Sequence, residues 1–292
     1  MKTTRPHVGN ECLRGILLVA LWFVVTGAAT AQEAQTTRSG GGAETRDRQA
    51  IDRAIKDLRV YLDRGKTKRL TPHTVLRWPN PVRGCIDGAT AIWTYQGRPQ
   101  LVYCIWTDDR QQIGLAAGPL SLARPIAELN GHMIWPPERK DKLLTRFRDI
   151  PNAPQPAKTS RQRLLQMKLL AKRFEAKVTD SSDAEVYRLL PTPIYRYELP
   201  ADSSKKKYVG ESTVLDGSVF AFVHGTDPET LLLIEARSTK TGFRWQFAAA
   251  ARGVALDLSL DDKRAASIPF CRTMVLWRYM VRDGETVLEP VN

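Results

Sequence analysis

Apolar positions along this chain follow a helical period and then a strand period, and that change occurs twice. From Arg46 to Asp63, Ile51, Ile55, Leu58 and Leu62 recur at helical spacing with charges between them, which predicts an amphipathic helix stopped by Gly65. Trp78-Pro79-Asn80-Pro81-Val82 follows, with prolines suited to strand entry. Asp87 to Asp108 carries two β-rich runs around Gln96–Pro99 and predicts a hairpin, and Ile113–Ala123 and Met133-Ile134-Trp135 add further strands. The cycle then restarts. Arg161 to Val178 places Leu164, Met167, Leu170 and Phe174 on one helical face, with Leu165 and Leu169 widening it and a strongly basic face opposite. Leu190-Pro191-Thr192-Pro193-Ile194 echoes the earlier proline pair, and Asp216 to Arg237 predicts a second hairpin around Gly225-Thr226-Asp227-Pro228. Arg244–Ala251, the alternating Val254–Leu260 and a terminal hairpin over Met274–Leu288 complete the pattern.

With Gly225–Pro228 as the loop, Phe222 would face Leu231 and Phe220 would face Leu233, leaving Val219, Ala221, Val223, Leu232 and Ile234 on the other face. Both faces are apolar, so this hairpin is expected to be central and covered on both sides. Laid on each other without gaps, the two hairpins share Asp87/Asp216, Gly88/Gly217, Pro99/Pro228 and Ile105/Ile234. The order helix, Pro-x-Pro strand, hairpin, further strands is therefore read as an internal repeat. It predicts an α+β protein of two related helix-plus-antiparallel-meander units, the layout of cystatin-like and NTF2-like folds. The first unit spans 46–147, a Pro-rich linker 148–160, and the second unit 161–292.

The N-terminus belongs to a different class of segment. Lys2, Arg5 and Arg14 precede the apolar run Gly15–Val25, and Ala29-Thr30-Ala31 supplies small residues at a cleavage site. Residues 1–31 thus read as a secretory signal peptide, followed by a flexible leader over 32–45. The expected location is periplasmic or extracellular, with no transmembrane segment after cleavage. Of the 44 basic and 31 acidic residues, the peptide holds Lys2, Arg5, Arg14 and Glu11, so the mature chain keeps 41 and 30, a net charge of +11. That balance suits an anionic polysaccharide or envelope component, and no specific nucleic acid is expected. After cleavage three of the four cysteines remain, Cys85, Cys104 and Cys271; odd in number and without metal spacing, they read as small buried apolar residues.

Candidate chemistry is sparse. Glu235, a carboxylate on an otherwise apolar strand, is the one residue that could act as a buried general acid, with His224 as a companion. The alternative role for Glu235 is an ion pair with Arg237, Arg244 or Arg252. The histidines of the mature chain, His73, His132 and His224, are far apart, and no nucleophile elbow, phosphate loop or dinucleotide fingerprint is present, so neither metal nor cofactor is expected. Trp78 and Trp135, beside prolines, are the tryptophans expected to be exposed for stacking on a ligand. The segment LLPTPIYRYE at 189–198, followed by DGSVFAFVHGTDPETLLLIEAR, is similar to an uncharacterised family of exported bacterial proteins in which "LLPxPLYRY…DGALFAFVxGTDPExLLLIEAR" recurs. Arg77–Trp93 has an upstream counterpart there, and the resemblance covers most of residues 75–250. It implies export and the same boundaries, and it carries no activity. The expectation is an exported, non-enzymatic binding or interaction protein. The alternative is a periplasmic hydrolase working through Glu235.

Overall fold

A computed structural model describes residues 40–81, 84–135, 143–178, 185–201, 212–252, 255–271 and 273–291. Residues 1–31, read above as a signal peptide, and 32–39 of the expected leader lie outside the described residues. Helix α1 (Gly40–Asp57) is followed by β1 (Arg59–Tyr61), β2 (Thr71–Arg77), β3 (Gly88–Tyr95), β4 (Arg98–Thr107), β5 (Gln112–Pro119), β6 (Ile126–Leu129) and β7 (His132–Trp135). A short strand β8 (Arg148–Asp149) then leads to α2 (Ser160–Ala171). After it come β9 (Phe174–Val178), β10 (Val186–Leu189), β11 (Tyr195–Arg196), β12 (Val214–His224), β13 (Asp227–Thr239), β14 (Gly242–Ala251), β15 (Leu256–Leu260) and β16 (Lys263–Ile268). The chain ends in β17 (Met274–Arg282) and β18 (Glu285–Pro290).

The protein is mostly β, in curled antiparallel sheets, and not the α+β helix-plus-meander layout expected from the sequence; the cystatin-like and NTF2-like comparisons fall with it. Both predicted helices are cut short by strands. Leu58 and Leu62 stand four residues after Ala54 and Leu58, a spacing that fits a helix but is also even, as a strand requires. Leu58, Val60 and Leu62 are all buried and alternate with more exposed neighbours, and Val60 pairs with Ala127 of β6. Likewise α2 stops at Ala171, and Phe174 opens β9 with its ring 4.8 Å from that of Phe247. At its other end α1 begins at Gly40, within the stretch read as leader.

Three sheets result. A three-stranded sheet has the order β1-β6-β7, and a six-stranded one the order β18-β17-β5-β4-β3-β2. The nine-stranded sheet runs β16-β15-β9-β10-β12-β13-β14-β8, with β11 also on β12. The two halves of the chain are wired alike. In each, a strand just after the helix (β1, β9) pairs with a later hairpin (β6-β7, β15-β16), and a three-strand meander (β3-β4-β5, β12-β13-β14) lies between. Each half also completes the other: β8 pairs with β14, and β17 pairs with β5. Ile92 and Val102 of one meander pack with Val219, Ala221, Leu231 and Leu233 of the other, which joins the two larger sheets.

Inside the second hairpin the facing differs from the expected one. The turn holds only Gly225 and Thr226, and a bulge shifts the register between Phe222 and Val223, so Phe220 sits opposite Leu232 and Ala221 opposite Leu231. Phe220 and Phe222 therefore pack with Leu232 and Ile234 on the helix-covered core, while Val219, Ala221, Leu231 and Leu233 face the other meander. One extra residue in the ladder reverses every facing beyond it. The hairpin is central and buried on both faces, as its two apolar faces require.

Candidate functional site

The polar residues of interest converge where the first hairpin meets the second. Gln96 and Gly97 both have positive φ, which makes the β3–β4 connection a tight type I′ turn. That turn delivers Arg98 across the molecule to Glu235, which lies opposite Gly217 on β13. The two side chains are 1% and 0% exposed. Glu235 Oε1 accepts from Arg98 Nε at 3.1 Å, Arg98 Nη2 at 2.9 Å and Tyr197 Oη at 2.7 Å. Its Oε2 accepts from Arg237 Nη1 at 2.6 Å, and the Arg237 guanidinium stacks 4.1 Å from the Phe147 ring. Each carboxylate oxygen is thus held by at least one guanidinium, in a setting without solvent access. Such an arrangement clamps two strands together and offers a substrate neither a proton nor an approach.

His224 is not part of this cluster. It sits at the far end of β12, seven positions beyond Gly217, or roughly 23 Å at the strand rise. Its Nε2 lies 2.6 Å from Glu185 Oε1 instead. Of the three arginines considered as partners, Arg237 reaches Glu235, whereas Arg244 lies 3.7 Å from Asp149 and Arg252 pairs with Asp227 at 2.8 Å. Arg98 and Tyr197 were missed because nothing in the sequence joins positions 137 and 38 residues away from Glu235. Trp78 and Trp135, expected to be exposed, are 3% and 2% exposed. The Trp78 ring covers Gly88, where a Cβ would approach it to 2.7 Å, and its indole N–H donates to Thr90 Oγ1 at 3.0 Å. Cys85, Cys104 and Cys271 are free thiols, the first two buried, and burial pushes the thiol pKa of Cys85 and Cys104 up to about 12.

Beside Tyr197 opens a cleft of about 270 Å³ lined by Ser160, Arg163, Arg196, Leu199, Leu215 and Asp216. Asp216 Oδ2 accepts from Arg163 Nε at 2.7 Å and from Arg196 Nη2 at 2.8 Å, while its Oδ1 caps the Gly217 N–H at 2.9 Å. Asp87 treats Gly88 in the same way at 2.8 Å, so the two Asp-Gly corners are built alike. The cleft lies at the N-terminus of α2, where Thr159 Oγ1 caps the Gln162 N–H. From there the helix runs out with Arg161, Arg163 and Lys168 and no acidic residue, and Lys172 and Arg173 follow it. Arg163 and Arg173 are neutralised by Asp216 and Asp261, but Arg161, Lys168 and Lys172 have no carboxylate partner among the described residues. On this outward face Arg161 and Lys168 of α2 and Lys172 just after it stand without an acid on the helix.

Among the described residues, no group of three or more His, Cys, Asp or Glu side chains could hold a metal ion, and no helix is long and apolar enough to cross a membrane. No family model, curated protein or solved structure matches the chain.

Proposed function

We propose that the protein is an exported binding protein without catalytic function, built on a duplicated unit, and that it holds an anionic polymer or envelope surface through the outer face of α2. The observation that carries the reading is the set of unneutralised bases Arg161 and Lys168 on α2, a helix with no acid, and Lys172 directly after it, in a mature chain of net charge +11. The export part rests on the signal-peptide pattern of residues 1–31 and is tested by sequencing the N-terminus of the secreted chain. The hydrolase reading has no support in the site, because Glu235 is enclosed by Arg98, Arg237 and Tyr197, and His224 lies elsewhere.

Retention on heparin tests the electrostatic reading. The chain should bind at low ionic strength and elute as salt rises, since exposed charges are screened over about 10 Å at 0.1 M. Lys168→Glu/Lys172→Glu should elute at distinctly lower salt with an unchanged melting temperature. A chain that flows through at low salt overturns the proposal.

A further inference from the structure

Two leucines on α2 have no structural employment. Met167, Leu170 and Ala171 already cover the core side of the helix, yet Leu165 and Leu169, one turn apart on the opposite side, are 58% and 56% exposed. The sequence pattern alone would place them at the edge of the buried stripe, and the structure puts them in solvent.

Helix α1 provides an internal control. It has the same relation to its strands, and laying Leu58 and Val60 on Phe174 and Ala176, all four buried, brings Ile51 onto Met167 and Ala54 onto Leu170. In that register Gln49 matches Leu165 and Arg53 matches Leu169. The same fold position is therefore filled by polar side chains in α1, so packing does not require leucine there. The charges differ in the same sense. Asp52 and Asp57 of α1, which bind Arg77 and Arg53, are replaced by Lys168 and Arg173.

We infer that the outer face of α2 docks on an anionic lipid bilayer surface, Leu165 and Leu169 entering the headgroup region while Arg161, Lys168 and Lys172 meet lipid phosphates. The inference rests on the anionic-partner reading above and narrows it to a lipid. Exposed leucines rimmed by bases suit a headgroup boundary, where apolar area and attraction to anionic lipid both add to binding. A soluble polyanion would use the bases but leave the leucines in water. A second copy of this chain would oppose two like-charged faces across a twofold interface, which charge repulsion disfavours.

The test uses co-sedimentation of the purified chain with phosphatidylcholine vesicles, with and without phosphatidylglycerol, alongside heparin retention. The chain should bind the anionic vesicles and leave the zwitterionic ones. Leu165→Ser/Leu169→Ser should weaken vesicle binding by about tenfold or more while leaving heparin retention and the melting temperature intact. Each of Lys168→Glu and Lys172→Glu should reduce vesicle binding by at least about fivefold. In Leu165→Trp, emission should shift to the blue on adding anionic vesicles, since the new indole would enter the interface. Vesicle binding unaffected by the serine pair, or no spectral shift, overturns the inference. A chain that binds heparin but no vesicle also overturns it and leaves the anionic-partner reading standing; failure on both removes both. A dimer in lipid-free buffer that the serine pair dissolves would assign the leucines to self-association instead, and so overturn it.

Discussion

Glu235 has exchanged its water for two guanidiniums and a phenol, and the consequences follow from where those groups originate. Arg98 belongs to the first hairpin, Tyr197 to the segment just after β11, and Arg237 to the same strand as Glu235. A buried pair of this kind adds little compared with apolar side chains of the same shape, but removing one partner leaves charge stranded without solvent. In Glu235→Gln, Arg98 and Arg237 would remain buried beside a neutral amide. The expected loss is about 3–5 kcal/mol of unfolding free energy, measured by urea denaturation, with strand content retained by circular dichroism. A general acid held only by incidental contacts would behave differently. Its Gln variant would keep full stability, and that result would reopen the catalytic reading.

At the scale of elements, the first hairpin tip is a docking device. Gly97 has φ +73°, and a Cβ placed there would come within 1.9 Å of the Glu198 carbonyl oxygen. The approach is used: the Glu198 N–H donates to Gly97 O at 3.1 Å, and Tyr195 Oη donates to the same oxygen at 3.2 Å. The second tip does the same in reverse, Thr226 Oγ1 donating to the Pro79 carbonyl. Gly97→Ala should therefore cost about 3 kcal/mol, from the left-handed backbone and the forced separation together, and should raise hydrogen exchange at Glu198. Unchanged protection at Glu198 would show that the tip is not docked. These contacts mark the limit of what the chain alone discloses. The turns and strands were legible because Gln96-Gly97 and Asp283-Gly284 stand between β-rich runs. Both helices were carried too far at their C-terminal ends because a spacing of four, as between Leu58 and Leu62, serves both periods. The fold class failed because β1 and β9 lay hidden in those helix ends and because pairings between distant strands, such as β17 on β5, leave no local pattern; likewise Glu235 could be singled out while Arg98, brought to it by docking, could not.

For the molecule as a whole, the exchange of edge strands matters more than the likeness of the halves. A half ending at β7 would leave the outer edge of β5 open, and β17 from the far end of the chain closes it, Leu276 opposite Gly114 and Trp277 opposite Ile113. The same returning segment buries Trp277, Tyr279 and Leu288, and Tyr279 Oη donates to the buried Asp47 carboxylate of α1. Truncation before residue 273 would empty those three positions, a loss on the order of 10 kcal/mol, comparable with the whole stability of a domain. The truncated chain should therefore lose cooperative unfolding, and its β3–β5 and α1 amides should lose exchange protection. Because the missing piece is a hairpin that adds to an open sheet edge, a synthetic peptide of residues 273–292 should restore protection at Gly114 and Leu115 in trans. Two independently folded halves would give the opposite result: the first half of the truncated chain would keep its protection, and the peptide would change nothing.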